Sequence, residues 1–351
     1  TFITEPFLKD GVVARAVDEV TALGVSYFTA AGNYGNKSYE STFNPIGAPA
    51  GLTGSAHNFG GGDIYQNISL SPGAYTLVLQ WEDDIYSLGQ TSTGTINDLD
   101  IYLADNNGAT LFGLNRNNTG GDPLEILSFS VTSNTSSNIL ITRASGSGSV
   151  RLKYIIFRGE PTINEFKVGN STIVGQANSA GAITVGAVKY TNTPAFGGVL
   201  SMASFSSTGG TAINGTTKNK PDFAAPNGVN TTVDLTGGNT DLNIDGDSFP
   251  NFFGTSAAAP HAAAAAALIM NARKKYSGID MTPGQVRTLL SNSAIDILPS
   301  GFDASSGNGF IQPNVSIRTF ASPKPSITEL VLPSPNQIPG TSEFTLTVKG
   351  E

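Results

Sequence analysis

The run Gly254-Thr255-Ser256-Ala257-Ala258-Ala259-Pro260-His261 places a hydroxyl just after a glycine turn and at the head of an alanine-rich stretch. A serine at the amino end of a helix can cap it by accepting a backbone N–H, the commoner use of such a residue. It can also be a nucleophile, because the unpaired N–H groups and the positive dipole end nearby favour a developing oxyanion. The residues alone leave both readings open. A nucleophilic serine needs a general base and a group that orients the base. The chain has two histidines and no cysteine. His261 follows Ser256 by five residues, about 140° around a helix at roughly 100° per residue, so it cannot reach the same face. His57 lies in the glycine-rich run Ser55-Ala56-His57-Asn58-Phe59-Gly60 and reads as a solvated or hydrogen-bonded residue rather than a base. A thiol enzyme and a Cys-based zinc site are excluded outright.

Two oxygen-rich stretches suggest a different chemistry. Asp241-Leu242-Asn243-Ile244-Asp245-Gly246-Asp247 has the D-x-N-x-D-G spacing of the first half of a calcium loop, making Asp241, Asn243, Asp245 and Asp247 candidate ligands. Phe252 stands where the bidentate Glu of such a loop belongs, and Leu242 with Ile244 alternates as in a strand, so a solvated loop competes with it. Asp98 and Asp100, beside Asn97, share one face of a strand. They could hold calcium, but a solvated strand edge with turn-capping Asp is the favoured reading. Calcium would be a structural ion, and no cofactor is required.

Three textures of sequence must position these groups. Val12, Val13, Ala16, Val17 and Val20 recur at helical spacing, and residues 25–31 then read as a buried strand that breaks at the Gly32-Asn33 turn. From Gly51 short strands alternate with Gly, Asn, Ser and Pro clusters, at 74–81, 99–103, 126–131, 139–142 and 150–157. That spacing predicts an antiparallel β-sandwich. From Pro161 the α/β texture returns, with a compact strand at 183–188, a long helix from Gly254 to about Tyr276, and a helix entered at Thr282-Pro283. Nine alanines among residues 257–267 leave the long helix no bulky face, so it must be buried. The expected architecture is one α/β domain with a parallel sheet, built from residues 1–50 and 160–320, carrying the sandwich of residues 51–159 as an insert. Residues 321–351 are a proline-rich linker followed by a strand pattern at Glu343–Val348.

Nineteen basic against 27 acidic residues give a net charge of −8, which disfavours nucleic-acid binding. No apolar run reaches the ~18–20 residues of a membrane span. The many uncharged polar residues suit a secreted or surface protein.

The Gly254–His261 run resembles the nucleophile motif of the subtilisin-like serine peptidases, with Ala257-Ala258-Ala259 where that family usually shows Met-Ala-Ser. Val17-Asp18, Gly24-Val25, Ala30-Ala31-Gly32-Asn33, Ile183–Ala187, Ala203–Ser207, Pro221–Pro226 and Gly307–Ile311 resemble further segments of the family in the same order. The resemblance implies that Ser256 attacks a peptide carbonyl and that Asn33 donates to the oxyanion. Ala31, Gly32 and Thr255 would then line the substrate groove. The nearby serine-carboxyl peptidases place an Asp at the oxyanion position, so Asn33 favours the subtilisin side.

In subtilisins the triad order is Asp, His, Ser, and both partner motifs would precede Thr1. The expectation is therefore a fragment of a secreted bacterial endopeptidase, monomeric and inactive alone, whose missing base is His or Glu. The sandwich resembles bacterial pre-peptidase C-terminal modules, and the tail resembles the start of an immunoglobulin-like module. A non-catalytic surface protein, binding glycan or protein through the sandwich, is the alternative.

Overall fold

The computed structural model describes residues 2–234, 245–297, 299–321, 327–331 and 347–350. In chain order, the first half holds α1 (Val12–Ala22), β1 (Phe28–Ala30), β2 (Ser38–Thr42), β3 (Pro45–Gly47), β4 (Ser55–His57), β5 (Gln66–Leu70) and β6 (Gly73–Trp81). It continues with β7 (Asp98–Ala104), β8 (Thr110–Leu114), β9 (Leu124–Val131), β10 (Thr135–Ser145), β11 (Arg151–Arg158) and β12 (Thr162–Ile163). The second half holds β13 (Ile183–Lys189), β14 (Ala212–Ile213), β15 (Thr216–Thr217), β16 (Phe223–Asn227), β17 (Val229–Asn230) and β18 (Asn251–Phe252). The helices α2 (Thr255–Ser277), α3 (Pro283–Asn292) and α4 (Pro313–Arg318) follow, then β19 (Ile327–Val331) and β20 (Thr347–Gly350).

β1, β13 and β16 form a parallel sheet in that order, with Phe28 opposite Ile183 and Val185 opposite Phe223. Parallel strands need long crossovers and cover on their faces. The cover is α2, which packs across all three strands. Ala258, Ala259, Ala262, Ala265, Ala266 and Ile269 are its inward face, against Ile183, Val185, Ala187, Phe223 and Ala225. Small side chains let the helix backbone approach the sheet closely. α3 starts with a capping box: Thr282 Oγ1 accepts from Gln285 N–H (3.3 Å), and Gln285 Oε1 accepts from Thr282 N–H (2.9 Å).

The other strands build two antiparallel sheets. One has the order β12-β5-β10-β4-β3, with β7 pairing β10 and β8; the other runs β2-β11-β6-β9. A single core takes side chains from both, among them Tyr39, Ile68, Leu77, Trp81, Leu99, Ile141 and Tyr154. Its strands run from Ser38 to Ile163, so β2, β3 and part of the entry precede residue 51 and β12 follows residue 159. The alternation 99-101-103 inward and 98-100-102 outward on β7 agrees with the period of a strand.

The sandwich is bolted to the sheet-and-helix half by a polar and an apolar seam. The Lys153 ammonium, fully buried, donates to Glu40 Oε2 (3.0 Å), Ser171 Oγ (2.8 Å) and Thr211 Oγ1 (2.8 Å). Burial draws its pKa down to about 8, against the pull of Glu40. The apolar seam packs Val78 and Ile155 against Phe7, Leu8 and Val174.

The sequence reading of Asp98 and Asp100 as a solvated edge does not hold. β7 lies between β8 and β10, and the two carboxylates are only 6% and 3% exposed. Of the predicted terminal strand, Thr347 and Val348 lie in β20, and residues 343–346 lie outside the described residues.

Candidate active site

Gly254 has φ +122°, a conformation that only glycine adopts without strain, and it sits at the N-cap of α2 with no side-chain cap bond. Ser256 is therefore not the cap. It stands at the second helical position, and unlike Thr255 and Ala257–Ala259 around it, its side chain is exposed. Four residues on, Pro260 has no N–H to return to the Ser256 carbonyl, so the first turn lacks one bond of its ladder.

Asn33 follows the carboxyl end of β1, where a parallel sheet presents its ligand crevice. Its amide oxygen is held twice by Thr255, accepting from the backbone N–H (2.9 Å) and from the hydroxyl (2.8 Å). The Thr255 hydroxyl also accepts from Gly32 N–H (3.1 Å). These bonds fix the amide plane and leave Nδ2 to face the open side. A Cβ added to Gly254 would lie 2.9 Å from Ser256 Oγ and 3.0 Å from Asn33 Nδ2. One small volume thus adjoins both the hydroxyl and the amide donor.

From the other side, Asn227 at the end of β16 accepts from Gly254 N–H at 3.4 Å and is buried. Sequence reasoning missed this contact, since an Asn before Gly228 reads as an ordinary turn residue.

The remaining expected site residues are placed as follows. Ala31 is buried against Ile173 and Ala177, and its N–H bonds Val185 O (3.0 Å). Gly32 is half-buried, its carbonyl accepting from Ser207 N–H (2.9 Å). Thr255 is buried and spends its hydroxyl on Asn33 and Gly32. Asp241 and Asn243 lie outside the described residues. Asp245 Oδ2 accepts from Tyr190 (3.1 Å) and Asn251 (3.2 Å), which helps hold its carboxyl below the usual range. Asp247 accepts from Asn230 and from Phe249 N–H (2.6 Å). Among the described residues no group of three or more acidic or imidazole side chains is placed to hold a metal.

Neither histidine approaches Ser256. His261 Nδ1–H donates to Ala257 O (2.7 Å), and the ring lines a separate cavity of about 730 Å³ with Tyr190, Phe196, Pro226 and Phe310. His57 is wholly buried in the sandwich among Tyr39, Phe43 and Phe59. Its Nδ1 accepts from Asn44 N–H (3.1 Å), so Nε2 carries the proton shared with the Tyr39 oxygen (2.7 Å). Burial depresses its pKa to about 4.

The fold and the site define a class: an α/β protein with a serine at the amino end of a helix that crosses a parallel sheet, beside a fixed amide donor at a strand's carboxyl end. The subtilase family pattern matches residues 84–309, and the chain belongs to that family, the subtilisin-like serine peptidases. No curated protein matches the sequence. Among solved structures it is similar to the CspB protease of Clostridium perfringens, at 16% identity and a TM-score of 0.47, over 90% of this chain and 66% of that one. It is also similar to a lanthipeptide protease (20% identity, TM-score 0.30, 41% of this chain and 44% of that one). A third is fervidolysin of Fervidobacterium pennivorans, a keratinolytic enzyme related to subtilisin (25%, TM-score 0.30, 40% and 20%). The chain spans less than two thirds of the length of each of these structures. No helix among the described residues is long and apolar enough to cross a membrane.

Proposed function

We propose that this chain carries the nucleophile and oxyanion half of a serine endopeptidase. Ser256 Oγ would attack the scissile carbonyl, and the carbonyl oxygen would move into the volume against Gly254. Asn33 Nδ2 would donate to it as charge develops. The observation that carries the reading is that Ser256 Oγ and Asn33 Nδ2 both border the space a Gly254 side chain would enter, 2.9 Å and 3.0 Å from where its Cβ would stand. The nucleophile and a potential oxyanion donor thus open on the same space, as acyl transfer requires. Thr255 is a positioning residue: it clamps the Asn33 oxygen, so the donor is set before substrate arrives and need not reorganise during the reaction. The absent Cβ at Gly254 keeps the volume open. Polypeptide is the substrate class that the family implies.

Acyl transfer also needs a base at Ser256 Oγ. Both histidines are committed elsewhere, and among the described residues Ser256 Oγ has no hydrogen-bond partner. On this reading the base and its orienting acid are not among the described residues, and the chain given is inactive alone. A secreted location and a structural calcium held by Asp241, Asn243, Asp245 and Asp247 belong to the same proposal.

Peptide hydrolysis by the chain extended with its natural upstream sequence tests the assignment. Ser256→Ala should abolish turnover. Asn33→Ala should lower kcat about 10²–10³-fold with little change in KM, the loss typical of removing one oxyanion donor. A fully active Asn33→Ala enzyme would remove the oxyanion role.

A further inference from the structure

Asn227 has no part in the mechanism above, although it touches the nucleophile turn. It is the last residue of β16, opposite Lys189 at the end of β13, and it is 1% exposed. Its Oδ1 accepts from Gly254 N–H (3.4 Å), while its Nδ2 is buried without a hydrogen-bond partner. An unpaired buried donor costs folding stability, and an apolar side chain of similar size would avoid that cost. Packing alone therefore does not account for an amide at this position.

The contact matters because of the residue it reaches. Gly254 has no Cβ to restrict the two peptide planes on either side of it. The plane after it is fixed: Thr255 N–H bonds Asn33 Oδ1 (2.9 Å), and Gly254 O accepts from Ala257 N–H (3.0 Å) and Ala258 N–H (3.3 Å). In the plane before it, the Gly254 N–H is held by Asn227. Upstream, the pairing of β17 with β18 anchors the chain as far as Phe252: Gly228 N–H donates to Phe252 O (2.8 Å), and Asn251 Nδ2 donates to Gly228 O (3.0 Å). The bond to Asn227 carries that anchoring past Phe253 to the turn itself. Two amides thus take successive N–H groups of the turn, Asn33 from beyond β1 and Asn227 from the end of β16, the outer strands of the parallel sheet.

We propose that Asn227 is a positioning residue for Ser256, locking the Gly254 turn from the β16 side as Asn33 locks it from the β1 side. The inference rests on the serine-peptidase reading above and adds a residue to it. With both peptide planes held, the glycine does not rotate, and the Ser256 hydroxyl and the Asn33 amide keep their common opening beside Gly254. Without the Asn227 oxygen the plane before Gly254 is free to turn, and the hydroxyl spends less time in the attacking position. Asn227 is too deeply buried to meet substrate itself, so the effect falls on kcat and not on KM.

Peptide hydrolysis by the chain extended with its natural upstream sequence tests this, with Asn227→Leu, Asn227→Asp and Ser256→Ala compared. Asn227→Leu should lower kcat about three- to tenfold, the scale of one modest hydrogen bond, and leave KM unchanged. Its Tm should change little, because one unpaired buried donor, Nδ2, gives way to another, the Gly254 N–H. Asn227→Asp keeps an accepting oxygen whether or not it is ionised and should restore kcat. Wild-type kcat in Asn227→Leu overturns the proposal. So does a loss of kcat that Asn227→Asp leaves unrestored, or one accompanied by a large fall in Tm, either of which makes Asn227 a packing residue. If Ser256→Ala still turns over peptide, the peptidase reading falls and this role with it. If Ser256→Ala is inactive and Asn227→Leu is unimpaired, the role of Asn227 alone falls. If Asn227→Leu does not fold, Asn227→Ala takes its place in the same comparison.

Discussion

Both halves of the molecule bury polar groups, the Lys220–Asp222 pair in the sheet-and-helix half among them, but they set them in different packing. The sandwich encloses them: His57, Gln66, Asp100, Glu125 and Lys153 all lie inside or at the seam, among large apolar and aromatic side chains. The sheet-and-helix half is built mainly from alanine, valine and isoleucine, and it leaves Ser256 and Asn33 exposed at the carboxyl ends of its strands. A core of large side chains is fixed by volume and can absorb polar groups deep inside. A core of alanine is fixed by close backbone approach, which holds a turn such as Gly254 in place beside the exposed Ser256 and Asn33.

Substitution in each core sharpens that contrast, the larger effect falling on the sandwich. Leu77→Ala, at a wholly buried site between the two sheets, should cost about 2–5 kcal/mol through lost burial and a cavity. In the other half the damaging change is enlargement: Ala262→Leu should cost about 1–3 kcal/mol by overpacking α2 against the sheet. Urea unfolding measures both, and a neutral Ala262→Leu would break the close-approach account.

A smaller effect concerns pH. The folded pKa of His57 is depressed to about 4, so the unfolded chain takes up a proton first as pH falls. The stability that neutral His57 provides is present above its ordinary value of about 6.5 and is lost between there and about 4. His57→Gln should flatten this acid flank of the Tm–pH curve, and an unchanged flank would place the proton elsewhere.

Much of the fold was legible in the sequence, for reasons visible in particular residues. β6, β7, β10 and β11 stand out as short apolar runs between Gly, Asn, Ser and Pro clusters, and α2 could only be buried given its alanines. β2 was not legible: Ser38-Tyr39-Glu40-Ser41-Thr42 reads as polar, because the charge of Glu40 is offset by Lys153 and Arg151, more than a hundred residues away in sequence. At the site, Ser256 and Asn33 could be named from motif and order. The clamp of Thr255 on Asn33 could not, since it joins residues separated by 222 positions. The burial of Asp98 and Asp100 escaped for the same reason: exposure depends on the neighbouring strands β8 and β10, not on local pattern.

The proposed function sets nucleophile and oxyanion donor together here and takes the base from beyond the described residues. Labelling with a fluorophosphonate probe, with the adduct mapped by mass spectrometry, tests it directly. Residues 1–351 alone should label no faster than their Ser256→Ala variant, and the chain extended upstream should label at Ser256. Robust labelling of Ser256 in residues 1–351 alone, or an adduct on a different residue in the extended chain, would contradict it.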